Sequence, residues 1–322
     1  MLKDTGIPPY AISRKNVFEG ESVFKMNSHK DNTPPGGKEE YMEPLLKYRG
    51  GKRREIPNFR NLIPQNYTTY IEPFFGGGAV FFDQEPVQSI INDINHPLIN
   101  FYQQVANNYP QLMQELTELH VLYEQNETEY ARQKTLHPEA RVPNDNEPLY
   151  YQLRDMYNGL TPSPYLDGTL YYFINKTAYS GMIRYNAQGQ YNVPFGRYKH
   201  FRVNNILPQH STLLQNAQIL QTDFENIFAL ANANDFMFLD PPYDCIFHDY
   251  GNMTTNFGED EHRRLASAIQ NVNCRILMVI GRTPLTEELY AGHIVSEYPV
   301  RYSVNIRNRF DTDTTHIVVT NY

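Results

Sequence analysis

An open α/β sheet of mostly parallel strands, broken by an inserted and mainly helical segment with a β-hairpin, is the fold predicted by three features of this 322-residue chain. Short apolar runs end on acidic residues at Glu72, Asp93, Asp223 and Asp240. A glycine-rich turn, Gly76-Gly77-Gly78, stands between one such run and an apolar, helix-like continuation. Between the second and third runs lie roughly a hundred residues of another texture, an interruption of the strand–helix alternation that builds a parallel sheet.

The elements follow in order. Residues 1–40 are polar, contain Pro34-Pro35-Gly36-Gly37 and show no periodicity, so a flexible N-terminal extension is expected. Regular structure should begin near Met42, ahead of a loop Tyr48-Arg49-Gly50-Gly51-Lys52. Thr69-Tyr70-Ile71-Glu72 reads as the first strand, running into Pro73-Phe74-Phe75-Gly76-Gly77-Gly78 and a helix through Phe82. Strand, glycine turn and helix together bring backbone amides close to a nucleotide-like ligand. Ser89-Ile90-Ile91-Asn92 is the next strand, with Asp93 at its tip about twenty residues beyond Glu72, where such sheets place an acid for ribose hydroxyls. Taken singly, Asp93 would serve equally as a helix N-cap. Helices are expected from Pro97 to around Asn107 and from Pro110 toward Glu129, then a loop over 134–148. In 185–192, polar turn residues lie between Tyr185 and Tyr191, the pattern of the β-hairpin. Strands resume at 217–221, 236–239, 275–280 and 316–320, and 259–272 reads as a helix with acids in its first turn.

No stretch approaches the ~20 apolar residues of a membrane span, and the N-terminus lacks the apolar centre of a secretion signal. Two cysteines, Cys245 and Cys274, are too few for a disulfide framework or a structural zinc site, so a cytoplasmic protein without metal is expected. The net charge of −8 argues against indiscriminate nucleic-acid binding. Basic residues nevertheless gather at Lys47, Arg49, Lys52, Arg53 and Arg54, at Arg184, Arg197, Lys199 and Arg202, and at Arg301, Arg307 and Arg309. Solvated faces account for many such clusters, but aromatic and glycine-rich neighbours favour a phosphate-facing role.

Asp240-Pro241-Pro242-Tyr243 is the most informative stretch. The apolar run Phe236-Met237-Phe238-Leu239 delivers it to the carboxyl edge of the sheet, where open α/β sheets bind ligands. Asp240 and the Pro241 carbonyl can accept hydrogen bonds from the exocyclic amine of a flat base, and Tyr243 can stack on that base. By itself the motif reads equally as a strand-ending turn, since proline cannot continue a ladder.

In company, the segments resemble the Dam-type (D12 class) DNA adenine-N6 methyltransferases. In that family's order stand Lys47 to Lys52, Ile71 to Gly78, Asn92-Asp93-Ile94-Asn95, Leu98-Ile99-Asn100, Arg184 to Tyr198, Asp223-Phe224, Asp240 to Tyr243 and Thr320-Asn321-Tyr322. The likeness spans about residues 42–322 and leaves only the N-terminal tail outside. It implies a Rossmann-like sheet of the S-adenosylmethionine-dependent methyltransferase kind. A catalytic, cofactor-binding part over 41–107 and 210–322 would be interrupted by a DNA-recognition part over 108–209. Asp240, Pro241, Pro242 and Tyr243 match the catalytic residues. Tyr48, Lys52, Glu72, Phe74, Gly76, Gly78, Asp93, Asp223, Phe224 and Asp240 match positions lining the S-adenosylmethionine site, with Asp93 on the ribose hydroxyls and Asp223-Phe224 beside the cofactor's adenine. Lys176, Tyr179, Met182, Arg184, Asn186 and Arg197 lie in the segment that meets double-stranded DNA.

The implied reaction moves a methyl group from the cofactor to adenine N6 after the base is flipped from the duplex. Arg184 and Arg197 would donate to guanine, the commonest specific base contact, and Met182 would either wedge into the vacated stack or pack inside the hairpin. Tyr48 stands where tryptophan is frequent, Ser180 where asparagine is frequent, and Met182 where leucine is. GATC is therefore the target the resemblance implies, with the last two changes bearing directly on it. Gly281-Arg282-Thr283 also departs from the family's serine-containing stretch. The competing readings are methylation of another amine, cytosine N4, an RNA adenine or a protein glutamine, and a DNA-binding relative without catalysis.

Overall fold

Alternation along the strands decides where the core sits. In the central strand of the sheet Phe236 and Phe238 face one layer while Met237 and Leu239 face the other. The next strand divides likewise, Leu277 and Val279 against Ile276, Met278 and Ile280. Burial on both faces is what a parallel sheet covered by helices requires, and it explains why these runs read as continuously apolar. The computed structural model describes residues 41–48, 50–243, 257–301 and 313–322. The expected N-terminal extension, Arg49, Cys245, Arg307 and Arg309 lie outside the described residues.

Among the described residues seven strands form one sheet: β1 (Tyr70–Glu72), β2 (Ser89–Asn92), β3 (Ala217–Leu220), β4 (Phe236–Leu239), β5 (Arg275–Gly281), β6 (Ile294–Arg301) and β7 (Asp313–Thr320). Their order is β3-β2-β1-β4-β5-β7-β6. Pairs from β3 through β5 are parallel, whereas β7 is antiparallel to both β5 and β6. Six strands lie where the sequence puts them. The edge strand β6 was not foreseen, because Pro299 inside it argues against a strand; an edge tolerates the missing donor.

The helices are α1 (Ile56–Phe59), α2 (Ala79–Gln84), α3 (His96–Asn107), α4 (Tyr109–Leu136), α5 (Asn146–Tyr157), α6 (Asp167–Thr177), α7 (Pro208–Gln215), α8 (Phe224–Phe228), α9 (Glu259–Asn271) and α10 (Pro284–Tyr290). Asn95 caps α3, its Oδ1 accepting from Leu98 N at 3.3 Å, with proline in the first turn. The loop expected over 134–148 is shorter, because α4 continues to Leu136 and α5 starts at Asn146. Glu129 holds that last stretch by accepting from Arg132 and Gln133, the i,i+3 and i,i+4 spacings that support a helix.

Helices α3 to α7 enter between β2 and β3. Their aromatic packing, including Phe173 on Phe201 at 4.9 Å and Phe101 on Tyr172 at 5.9 Å, joins one face of the sheet in a continuous buried cluster. The expected hairpin is a tight reversal rather than two strands. Tyr185 bridges Tyr191, Ala178 bridges Phe195, and Gly189 (φ 75°) turns the chain between them.

Candidate active site

The first wall is the glycine turn after β1. Gly76 and Gly78 have φ of 50° and 65°, a backbone region that L side chains resist. Space forbids side chains as well. A Cβ on Gly76 would lie 2.9 Å from the Tyr48 ring, and one on Gly78 would lie 2.5 Å from Phe75. Asp93, at the tip of β2, accepts from Gly76 N at 2.9 Å and from Asn95 N at 2.9 Å. It therefore braces the turn, while the N-cap role falls to Asn95. Burial raises the Asp93 carboxyl above its ordinary range, against the backbone donors that stabilise its charge.

Asn92, almost fully buried, ties the same edge together. Its Nδ2 donates to Pro73 O at 2.9 Å and Thr222 O at 3.1 Å, and its Oδ1 accepts from Thr222 N at 2.9 Å. Glu72 is enclosed, with Tyr70 donating to its Oε2 at 2.6 Å. Burial pushes its carboxyl well above the usual range, with nearby Asp240 and Asp93 adding to the rise.

The second wall is aromatic. Phe74 lies 5.4 Å from Phe224 and 5.7 Å from Phe257. Asp223 caps α8 through Glu225 N at 3.0 Å and pairs with Arg264 at 3.0 Å, and the Arg264 guanidinium lies 5.0 Å from the Phe224 ring centroid.

Asp240 follows β4 at the floor. Its Oδ1 lies 2.8 Å from Lys52 Nζ and 3.4 Å from the Tyr243 hydroxyl. No described donor reaches Oδ2, so that oxygen can take a substrate amine. Lys52 also donates to Gly50 O at 2.8 Å and sits 5.0 Å from the Tyr243 ring centroid. At 2 % exposure it leaves the phosphate-facing group in which its sequence neighbours placed it. Its neighbour Arg53 is occupied by Glu43 and the Met42 carbonyl. Burial raises the Asp240 carboxyl, while the charge and hydrogen bond of Lys52 pull it back.

The segment expected to meet DNA begins at the end of α6. Asn175 clamps the main chain next to Tyr48: Lys47 N donates to Asn175 Oδ1 at 3.0 Å, and Asn175 Nδ2 to Lys47 O at 2.9 Å. Lys176 lies 5.1 Å from the Tyr172 ring, and burial followed by the charge of Lys47 lowers its ammonium to about 8. Tyr179 is exposed, whereas Met182 is half-buried against the core. Ser180 and Arg197 have φ of 55° and 54°, the left-handed region without glycine's freedom. Arg184 donates to Asn192 Oδ1 at 2.8 Å, Asn186 receives Gln188 N and Gln190 N, and Arg197 reaches Glu147 only at 3.7 Å.

Several site neighbours went unread in the sequence. Glu55, Tyr298 and His316 pack behind Tyr243. Tyr102 donates to Gly76 O at 3.2 Å. The buried Tyr171 hydroxyl lacks a hydrogen-bond partner among the described residues; burial, then Tyr48, Tyr185, Tyr102 and Asp93, raise its pKa. Only Asn92 carried a signal, standing directly before the strand-end acid.

A parallel sheet with an antiparallel strand beside β5, a glycine turn braced by a strand-end acid and an Asp-Pro-Pro-Tyr corner at the same edge define an α/β methyltransferase. The chain belongs to the D12 class N6 adenine-specific DNA methyltransferase family, whose pattern matches residues 48–306, and it is an adenine-specific DNA methyltransferase. It is 34 % identical over 289 residues to the Type II methyltransferase M.CviBI of Paramecium bursaria Chlorella virus NC1A, covering 87 % of this chain and 100 % of that protein. It is 29 % identical over 293 residues to the Type II methyltransferase M1.LlaDCHI of Lactococcus lactis subsp. cremoris, 87 % and 96 % of the two chains. To the DNA adenine methylase of Haemophilus influenzae it is 27 % identical over 270 residues, 81 % and 87 %. Among the described residues no helix is long and apolar enough to cross a membrane, and no cluster of three His, Cys, Asp or Glu offers a metal site.

Proposed function

We propose that the enzyme uses S-adenosylmethionine to methylate N6 of an adenine flipped out of double-stranded DNA, with Asp240 and the Pro241 carbonyl gripping the amine. The cofactor, when bound, supplies an electrophilic methyl group on a positively charged sulfur. The chain fits that group: among the described residues the buried Tyr171 hydroxyl, close to Tyr48 and Asp93, has no hydrogen-bond partner and is left for an incoming one. Tyr48, Lys52, Glu72, Phe74, Asp93, Asp223 and Phe224 would line or brace the cofactor's place. Asp93 offers its carboxylate to the ribose hydroxyls, and Phe74 with Phe224 offers flat apolar faces to the adenine.

The target nitrogen is a weak nucleophile because its lone pair is delocalised into the purine ring. Hydrogen bonds from the amine to Asp240 Oδ2 and the Pro241 carbonyl pull it toward tetrahedral geometry and offset the positive charge that develops during transfer. Once the amine carried the methyl that the cofactor would supply, its surplus proton would pass to Asp240 or water. Pro242 keeps the turn rigid, and Tyr243 stacks on the base, recovering about 1–3 kcal/mol of the cost of flipping. Alignment rather than covalent catalysis supplies the rate.

Residues 41–107 and 210–322 are proposed to carry the cofactor and the chemistry, and 108–209 to read DNA. Arg184 and Arg197 donate to guanine edges, Asn186 shapes the turn, Lys176 faces phosphate, and Tyr179 or Met182 fills the vacated stack. The greater exposure of Tyr179 favours it for that last task. GATC is the target to test first, and the Type II relatives extend the reading to a partner in restriction-modification. The carrying observation is the Asp240 carboxylate, fixed at one oxygen by Lys52 and open at the other. Incubating unmethylated DNA, and RNA in a parallel reaction, with protein and labelled cofactor, then separating nucleosides and mapping modified positions, tests it. N6-methyladenine at one short sequence is the expected result; N4-methylcytosine, or label only in RNA, would overturn it.

A further inference from the structure

Behind Tyr243 lies a buried polar chain to which the reaction assigns no part. His316, on β7, is fully buried and stands opposite Gly281 of β5 and Tyr298 of β6 in the sheet register. Its ring meets that of Tyr243 at 5.0 Å and 77°, edge against face. On its other side Nδ1 lies 2.6 Å from Glu55 Oε2, the same oxygen that accepts from the Tyr298 hydroxyl at 2.9 Å. Glu55 closes the turn that begins at Lys52, with its N–H on Lys52 O at 2.7 Å. One carboxylate thus links the turn bearing Lys52 to the imidazole that packs on Tyr243.

Among the described residues the Tyr243 ring is met by His316, by the Lys52 ammonium and by the bare backbone of Gly281, where even a Cβ would approach only to 3.8 Å. Of these, His316 alone has a ring plane that could dictate the tilt of another ring. Accepting from Nδ1 fixes the imidazole proton there and fixes the plane with it. An apolar residue like the neighbouring Ile317 or Val319 would fill the same volume without desolvating a carboxylate. What it could not supply is orientation. Burial pushes the Glu55 carboxyl up, yet the His316 hydrogen bond, the Lys52 charge and the Tyr298 hydroxyl together bring it below its usual range, as expected of an acceptor kept charged.

We propose that His316, held by Glu55 and Tyr298, is a positioning residue that sets the Tyr243 ring to receive the flipped base. The inference rests on the reading that Tyr243 stacks on that base. It places no group of His316 on the substrate, so its mark is on the rate with bound reactants rather than on their binding.

A double-variant cycle in kcat, measured on the full chain with duplex DNA and labelled S-adenosylmethionine, tests it. His316→Leu should lower kcat about tenfold while the dissociation constants for cofactor and DNA stay within about twofold. His316→Asn, whose amide can still donate to Glu55 but presents no ring, should lose as much, and it carries the test if the leucine variant fails to fold. Tyr243→Ala should be slower still, and adding either His316 change to it should cost nothing more, because the ring to be positioned is gone. If the losses multiply, or if the asparagine variant keeps kcat within about twofold of wild type, His316 only packs and the proposal falls. Should Tyr243→Ala leave kcat unchanged, the stacking reading itself is at fault, which separates the two failures.

Discussion

The corner proposed for catalysis and the segment proposed to read DNA are built on opposite plans. At the corner, Lys52 is buried, its partner Asp240 is committed at one oxygen, and strands on several sides brace the turn. In the reading segment Arg197 is 73 % exposed, its only described ion pair stretches to 3.7 Å, and two non-glycine residues sit in left-handed conformations. Chemistry by alignment gains from groups that cannot move, since misplacement of about 1 Å can cost a hundredfold. Reading a base requires donors that release weak partners at little cost and pass to guanine. On the proposed roles, rigidity falls where geometry would set the rate, and the loose pairing of Arg197 falls where the target would be sampled.

Breaking the rigid side should give the largest effect. Asp240→Ala is expected to abolish detectable methyl transfer, at least about a hundredfold, while gel-shift affinity for DNA stays within about threefold. Gly78→Ala comes next. A left-handed alanine costs about 1–2 kcal/mol and the collision with Phe75 about 1–3 more, so thermal unfolding should show a loss of several kcal/mol. On the loose side, Arg197→Ala should surrender about 1–3 kcal/mol of discrimination between cognate and single-mismatch duplexes, with cofactor affinity unchanged by calorimetry.

Lys176 gives a smaller, pH-dependent effect. Its lowered pKa of about 8 means that the free protein loses this charge as pH rises through that value, while a bound phosphate favours the charged form. DNA affinity should therefore fall by up to about tenfold from pH 7 to pH 9, and Lys176→Gln should flatten that slope. The smallest effect is expected at the hairpin tip. Gly189 shares the positive φ of Gly78 but has nothing within 4 Å of a Cβ, so Gly189→Ala should cost only about 1 kcal/mol by the same unfolding assay.

Most of the sheet was legible because its strands are short, apolar and closed by acids, a pattern that local periodicity captures. Elements whose identity depends on distant partners were not. β6 carries Pro299 and acquires meaning only as an edge against β7. α5 and α6 are aromatic-rich helices whose periodicity is blurred by burial on several sides, as the enclosure of Tyr171, Tyr172 and Phe173 illustrates. Asp240, Tyr243, Asp93 and the glycines were readable because each sits beside a strand end. Glu55 and His316 meet across 261 positions of sequence, and no local rule connects them. The departure at Gly281 also gains a physical reading: its backbone lies beside the Tyr243 ring, while Thr283 caps α10.

The sheet order has a consequence for how the molecule is born. β1 lies between β2, which follows it almost at once, and β4, whose first residue emerges half a chain later. At 5–20 residues per second the nascent polypeptide carries β1 with one bare edge for on the order of ten to thirty seconds, the interval in which unpaired strands invite chaperones or misassociation. Translation speed across the intervening helices therefore belongs to the assembly of this enzyme as much as its finished contacts do.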